Sequence, residues 1–281
     1  MKKLVLFLSV VLLLTACAPG EVVPPTCAET PVEEQPTCGP GVPCGLTCRI
    51  VDGVETGTLL LAEADNDTPG VYTLSLADEV KWKLTEPLRS GQLIFVSYHT
   101  VLETYPAQLT DISGVTILEY GFDDRCALYL RVLEDLWAVD SGLNESGVEY
   151  IGVDLAATSL SPAEQTAVAH AFASRHGAQA VTGTLEYLKE QGYITATPLS
   201  GTGSGSDLND PKYYFHEWEN GCFFAITEQE MEGVYHGLIP VTFAAHKWRS
   251  SLGAYFFSDC TAVRSASGEW SDYTIGSAMI S

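Results

Sequence analysis

Basic residues are scarce in this chain. Fourteen lysines and arginines stand against 36 aspartates and glutamates, a formal charge of -22 over 281 residues. A surface this negative repels phosphate backbones and anionic headgroups, so nucleic acid is not expected as a partner, and cations or basic partners are favoured. Catalytic signatures are missing too. None of His99, His170, His176, His216, His236 and His246 has the His-Glu-x-x-His spacing of a zinc protease, and no Gly-x-Ser-x-Gly elbow occurs. The glycines of 201–206 do not match Gly-x-Gly-x-x-Gly, and no Lys-Ser or Lys-Thr pair follows them as in a phosphate-binding loop. No cofactor is therefore expected. After residue 16 no segment offers about 18 uninterrupted apolar residues, which excludes a spanning helix from the remainder.

The one long apolar run lies at the start. Lys2 and Lys3 precede Leu4 to Leu14, interrupted only by Ser9, and the run closes on Leu14-Thr15-Ala16-Cys17. A short positive region, an apolar stretch too short to span a bilayer and a small-residue cleavage site read as a signal peptide over 1–16. With cysteine last, the segment resembles the lipobox of bacterial lipoproteins. That resemblance implies lipidation of Cys17, which becomes the mature N-terminus, and a membrane-anchored protein facing outside the cytoplasm. Loss of two lysines takes the mature charge to -24. Residues 17–47, rich in Pro, Gly, Thr and Glu, read as an extended tether.

Apart from Cys17 there are seven cysteines: Cys27, Cys38, Cys44, Cys48, Cys126, Cys222 and Cys260. An odd number leaves at least one unpaired within the chain. The first four crowd the tether, where disulfides suit an extracytoplasmic linker better than zinc, because tight Cys-x-x-Cys pairs are absent. Cys222 and Cys260 fit either a bridge or two buried thiols.

Two folded units are expected, 48–119 and 120–281. The first carries strand-like runs at 57–64, 71–76, 92–98 and 115–118, separated by turn-rich segments. A short all-β unit closes most easily as a small barrel. Ser90-Gly91-Gln92 leading into Leu93–Tyr98, followed by Glu103-Thr104-Tyr105-Pro106-Ala107-Gln108, resembles the OB-fold-like domains of small exported Gram-positive proteins; the resemblance implies a fold and no activity. Asp65 and Asp67 with Gly70 begin like a calcium loop, but Leu76 stands where the bidentate acid belongs, so a hairpin turn explains the same letters.

In the second unit, apolar spacing over 125–139 predicts an amphipathic helix. Ser161-Pro162-Ala163-Glu164 is a capping box opening a helix that stops near Gly177, and 184–191 forms a third. A buried strand is expected at 149–155, and strands at 222–228, 239–244, 254–263 and 269–275. Helices grouped first and strands last predict an α+β unit with three helices on an antiparallel sheet.

Lys247-Trp248-Arg249 is a rare basic and aromatic cluster. It reads as a helix-to-strand corner or, with Trp270, as a ligand-binding patch whose indoles stack on a glycan or other ligand. Cys260 with His236 or His246 is the thiol-and-base candidate. The functional expectation is a lipid-anchored, non-catalytic binding or scaffolding protein of the cell envelope, with a glycan, peptide or envelope protein as partner. The alternative is an envelope hydrolase using dispersed acids or Cys260.

Overall fold

Among the described residues, fifteen strands and three α-helices form two sheets with helices between and beside them. The structure, a computed structural model, describes residues 42–64, 70–77, 82, 84, 86–145, 147–199, 214–229, 240–270 and 272–281. Cys17, Cys27, Cys38, Asp65, Asp67, His236 and the glycine-rich loop at 201–206 lie outside these residues. Among the described residues no helix is long and apolar enough to cross a membrane.

The first sheet contains β1 (Cys44–Asp52), β2 (Thr58–Glu63), β3 (Val71–Ser75), β4 (Leu93–Tyr98), β5 (Thr100–Leu102), β6 (Ala107–Thr110) and β7 (Gly114–Ile117). Its order is β5-β6-β3-β2-β1-β4-β7, antiparallel throughout except for β3 with β6. The path is open and does not form the closed small barrel expected from sequence: its end strands, β5 and β7, do not pair with each other. The tether also ends earlier than 47: Cys44 starts β1, pairing with Tyr98, and is disulfide-bonded.

Both faces of this sheet are covered. Cys48, Ile50, Leu59, Leu61, Leu74, Ile94 and Val96 fill an inner core, while Val51, Leu60, Ala62 and Val71 point the other way, into a core shared with the helices. That double burial explains the run Leu59-Leu60-Leu61-Ala62, in which alternation is lost.

The three predicted helices form close to their expected bounds: α1 (Arg125–Ala138), α2 (Pro162–Arg175) and α3 (Leu185–Glu190). The capping box at the start of α2 is complete, with Ser161 Oγ accepting from the Glu164 amide and Glu164 Oε2 accepting from the Ser161 amide. Alanines at 163, 167, 169, 171 and 173 are buried, and their small size lets α2 lie close to β1, β2 and β3 on one side and β8 and β9 on the other.

The second sheet contains β8 (Tyr150–Asp154), β9 (Gln179–Thr182), β10 (Thr195–Pro198), β11 (Tyr214–Glu217), β12 (Gly221–Gln229), β13 (Pro240–Ser250), β14 (Gly253–Val263) and β15 (Ser277–Ile280). Its main order is β10-β11-β13-β12-β8-β9, with β14 on β13 and β15 on β14. It is mixed, which corrects the expected antiparallel sheet: β8 runs parallel to both β9 and β12. The cause is the β8-α2-β9 crossover, since a helix between two neighbouring strands returns the chain in the same direction. Two further expectations change. Lys247, Trp248 and Arg249 lie inside β13 and not at a helix-to-strand corner, and 269–275 contributes isolated bridges, Arg264 to Trp270 and Thr261 to Thr274, instead of a strand.

One contact ties the sheets through α2. Arg49 on β1 donates Nε to Glu164 Oε1 at 2.5 Å, and its Nη1 reaches the carbonyls of Gly121 at 2.7 Å, Gly91 at 3.0 Å and Asp123 at 3.3 Å. Glu164→Ala removes the cap and the partner of a mostly buried guanidinium, and should cost about 3 kcal/mol in urea unfolding. Glu164→Gln keeps a capping oxygen and should cost about half as much; equal losses would show that the carboxylate's charge accounts for the whole effect.

Candidate functional site

A cleft of about 240 Å³ opens where β8 and β9 end, beneath the first turns of α2 and the start of α3. In open sheets containing parallel strands this is where ligands bind, because the loops leaving neighbouring strands separate there. β8 sits at such a divergence: α2 carries the chain to β9 on one side, and β12 lies on the other. Val153, Leu155, Ala156 and Pro162 give the cleft its apolar walls, and Asp154, Gln165, Thr166, Thr182 and Thr184 its polar groups.

Several polar groups around the cleft are already used within the chain. Gln165 Nε2 donates to Leu160 O at 2.8 Å, Thr166 Oγ1 to Pro162 O at 2.9 Å, and the Thr184 hydroxyl caps α3 by accepting from the Tyr187 amide at 3.1 Å. Asp154 Oδ1 accepts from the Ala156 amide at 3.0 Å. Asp154 Oδ2, Gln165 Oε1 and the Thr182 hydroxyl have no hydrogen bond among the described residues. What the cleft offers a ligand is therefore chiefly oxygen acceptors and one carboxylate. No lysine, arginine or histidine lines it.

The start of α2 does not supply the missing positive charge. Pro162 has no N–H, the Glu164 amide is bound by Ser161 Oγ, the Gln165 amide by Ser161 O, and the Glu164 carboxylate folds back over the turn. The helix end that elsewhere receives phosphate is closed here by its own acidic cap.

Asp154 also faces the back of the sheet. Ala225 on β12 is paired with Asp154 on one side and with His246 on the other, so both side chains project from the same sheet face. The His246 ring stacks on Phe256 at 5.5 Å and lies 5.8 Å from the Phe223 ring. Burial holds its pKa below the usual imidazole value, against the opposing field of Asp154.

The basic and aromatic residues singled out from sequence serve other structural tasks. Lys247 is fully buried, and its ammonium donates to the carbonyls of Val139 and Asp140 and to Asn144 Oδ1. Arg249, two residues along the same strand face, donates to Leu143 O at 3.2 Å and Glu219 O at 2.6 Å. Helix α1 has no basic residue in its last turn, so β13 supplies cations to the carbonyls at and beyond its C-terminus. Trp248 packs half-buried against the cluster of Leu188, Ile194 and Trp218, whereas Trp270 is buried in the helix-side core. Trp270 Nε1 donates to Asp123 at 2.9 Å and its ring carries the Arg125 guanidinium at 4.8 Å. The two indoles share no face.

Cys126, Cys222 and Cys260 are buried free thiols. Burial pushes Cys222 up to about 12 and Cys260 up to about 11, and Cys126 well above the usual thiol value, so none is poised as a thiolate. Cys260 faces the helix-side core beside Phe243, on the opposite sheet face from His246. Among the described residues no group of three or more metal-ligating side chains comes together.

No protein-family model, curated protein or solved structure matches the chain. The cleft residues were missed because β9, Gln179-Ala180-Val181-Thr182, is too short to announce itself; the usable signal was a strand ending in Asp154 seven residues before a capping box.

Two outcomes follow. His246 and His170 both have pKa values lowered by burial from 6.5, so their neutral forms stabilise the folded chain fully above that pH. Below it the unfolded state binds more protons, and Tm should fall as pH drops from 6.5 to 5. The double substitution H170Q/H246Q should flatten that slope in a thermal melt series. Lys247→Met leaves three buried acceptors unpaired and should cost about 3 kcal/mol by urea titration; a loss below about 1 kcal/mol would mean that water replaces the ammonium.

Proposed function

We propose that this chain is an exported, lipid-anchored binding protein of the cell envelope, held to the membrane through Cys17 and engaging a ligand outside it. The observation that carries the binding reading is the cleft at the ends of β8 and β9, which pairs apolar walls with unused acceptors and one carboxylate. The three buried thiols, with pKa values pushed upward, favour binding over thiol catalysis. The separation of Cys260 from His246 by the thickness of the sheet points the same way.

The pairing order of the first sheet is compatible with the OB resemblance, although no closed barrel forms. β1, β2 and β3 follow one another antiparallel, β6 is parallel to β3, and the run Leu93–Leu102 pairs with β1 through β4 and with β6 through β5. This supports the resemblance read over residues 48–119, a unit that would display the cleft-bearing part away from the membrane. The partner classes that fit an acidic ectodomain remain glycan, peptide or envelope protein, and nucleic acid is disfavoured by charge.

The anchor has a direct test. Cys17→Ser should move the protein from the membrane fraction to the soluble or secreted fraction, with loss of metabolically incorporated palmitate label. Unchanged fractionation would overturn the anchored reading.

A further inference from the structure

We propose that the cleft at the ends of β8 and β9 binds a small organic ammonium, an amine head on a short aliphatic body. The inference rests on the binding reading given above and names the class of ligand.

Three features of the cleft converge on this class. The first is polarity of hydrogen bonding: Asp154 Oδ2 and Gln165 Oε1 are acceptors only, the Thr182 hydroxyl can accept, and the Thr166 hydroxyl and one Gln165 N–H are tied to the chain. An ammonium brings three donors to these oxygens without needing any in return. The second is charge. Among the described lining residues Asp154 is the only ionisable side chain; it is half-buried, and one of its oxygens is fixed by the Ala156 amide while the other has no partner among the described residues. Charge-assisted hydrogen bonds to such an oxygen are about twice as strong as neutral ones. The third is the wall. Val153, Leu155, Ala156 and Pro162 offer apolar surface to an alkyl body.

The same features turn away the ligands most often found at this place in a fold. A phosphate or carboxylate would face Asp154 with no lysine, arginine or histidine to offset it, and with the start of α2 occupied by Glu164. A neutral sugar could hydrogen-bond here but would gain nothing from the charge of Asp154. The net charge of -22 adds a long-range field that concentrates cations near the surface and carries no penalty for an amine.

Titration calorimetry on the full-length chain in detergent should use 1,4-diaminobutane, 1-butanol, glucose and inorganic phosphate as probes. The expected result is saturable binding of the diamine alone, weakened at least tenfold by Asp154→Asn and several-fold by Thr182→Val, with a dependence on NaCl. Asn keeps the Oδ1 acceptor for the Ala156 amide, so Asp154→Asn should retain the wild-type melting temperature within about two degrees, which separates loss of charge from loss of fold. Nα-acetyl-lysine methylamide forms a second arm. Tighter binding of it than of the diamine identifies a lysine side chain as the source of the ammonium, and the reverse identifies a free amine. Diamine binding unaffected by Asp154→Asn would overturn the proposal. Binding of glucose or phosphate in place of the diamine would also overturn it while leaving the cleft a ligand site. No heat from any probe would overturn the proposal and remove the cleft from the binding reading, without touching the anchor.

Discussion

The fold depends on a single guanidinium. Arg49 leaves an interior strand of the first sheet, meets the carboxylate that caps α2, and gathers the carbonyls of Gly91, Gly121 and Asp123 from the segments on either side of β4 and β7. Glu164 is thereby used twice, once by its own helix through Ser161 and once by a strand 115 residues earlier. A mostly buried charge is tolerated when it is paired and hydrogen-bonded, and here the partners come from α2, the turn before β4 and the link into α1 together. The angle at which α2 enters the space between the sheets follows from that arrangement, and with it the position of the cleft.

Charge is used in the same way at the other end of α1. The acidic composition suggested a solvated surface with a few scattered cations, yet several cations are turned inward. Lys247 and Arg249 hold the turn after α1, and Arg125 lies over Trp270 and close to Asp123 and Glu228. Glu228 in turn accepts from the Tyr129 hydroxyl and from Ser159. Basic residues in this chain are scarce, and many of those present are structural fasteners. The surface is left to the acids.

Legibility in the sequence followed the range of the interaction. The helices were readable because their signals are local: the capping box at Ser161 and Glu164, and apolar spacing through Leu128, Val132 and Leu136. β2 and β4 were readable as apolar runs. β1, an interior strand of its sheet, was not, because Cys44, Cys48 and Arg49 interrupt its apolar pattern and its value lies in partners far along the chain. Lys247 looked exposed because its burial depends on three oxygens more than a hundred residues away. The cleft was hidden for a related reason. Its place is fixed by the parallel pairing of β8 with β9 and β12, and parallel pairing leaves no mark on composition.

Strand β8 has a consequence for how the chain matures. Its neighbour β9 arrives about 25 residues later, but its other neighbour, β12, is supplied only after some 70 residues. In a polypeptide that emerges N-terminus first, Tyr150–Asp154 waits with one hydrogen-bonding edge bare until most of the chain is available. Long-range parallel pairing of this kind forms slowly and leaves sticky intermediates. Maturation therefore has a vulnerable interval, and anything that pauses emergence between Gly192 and Gly221 prolongs it.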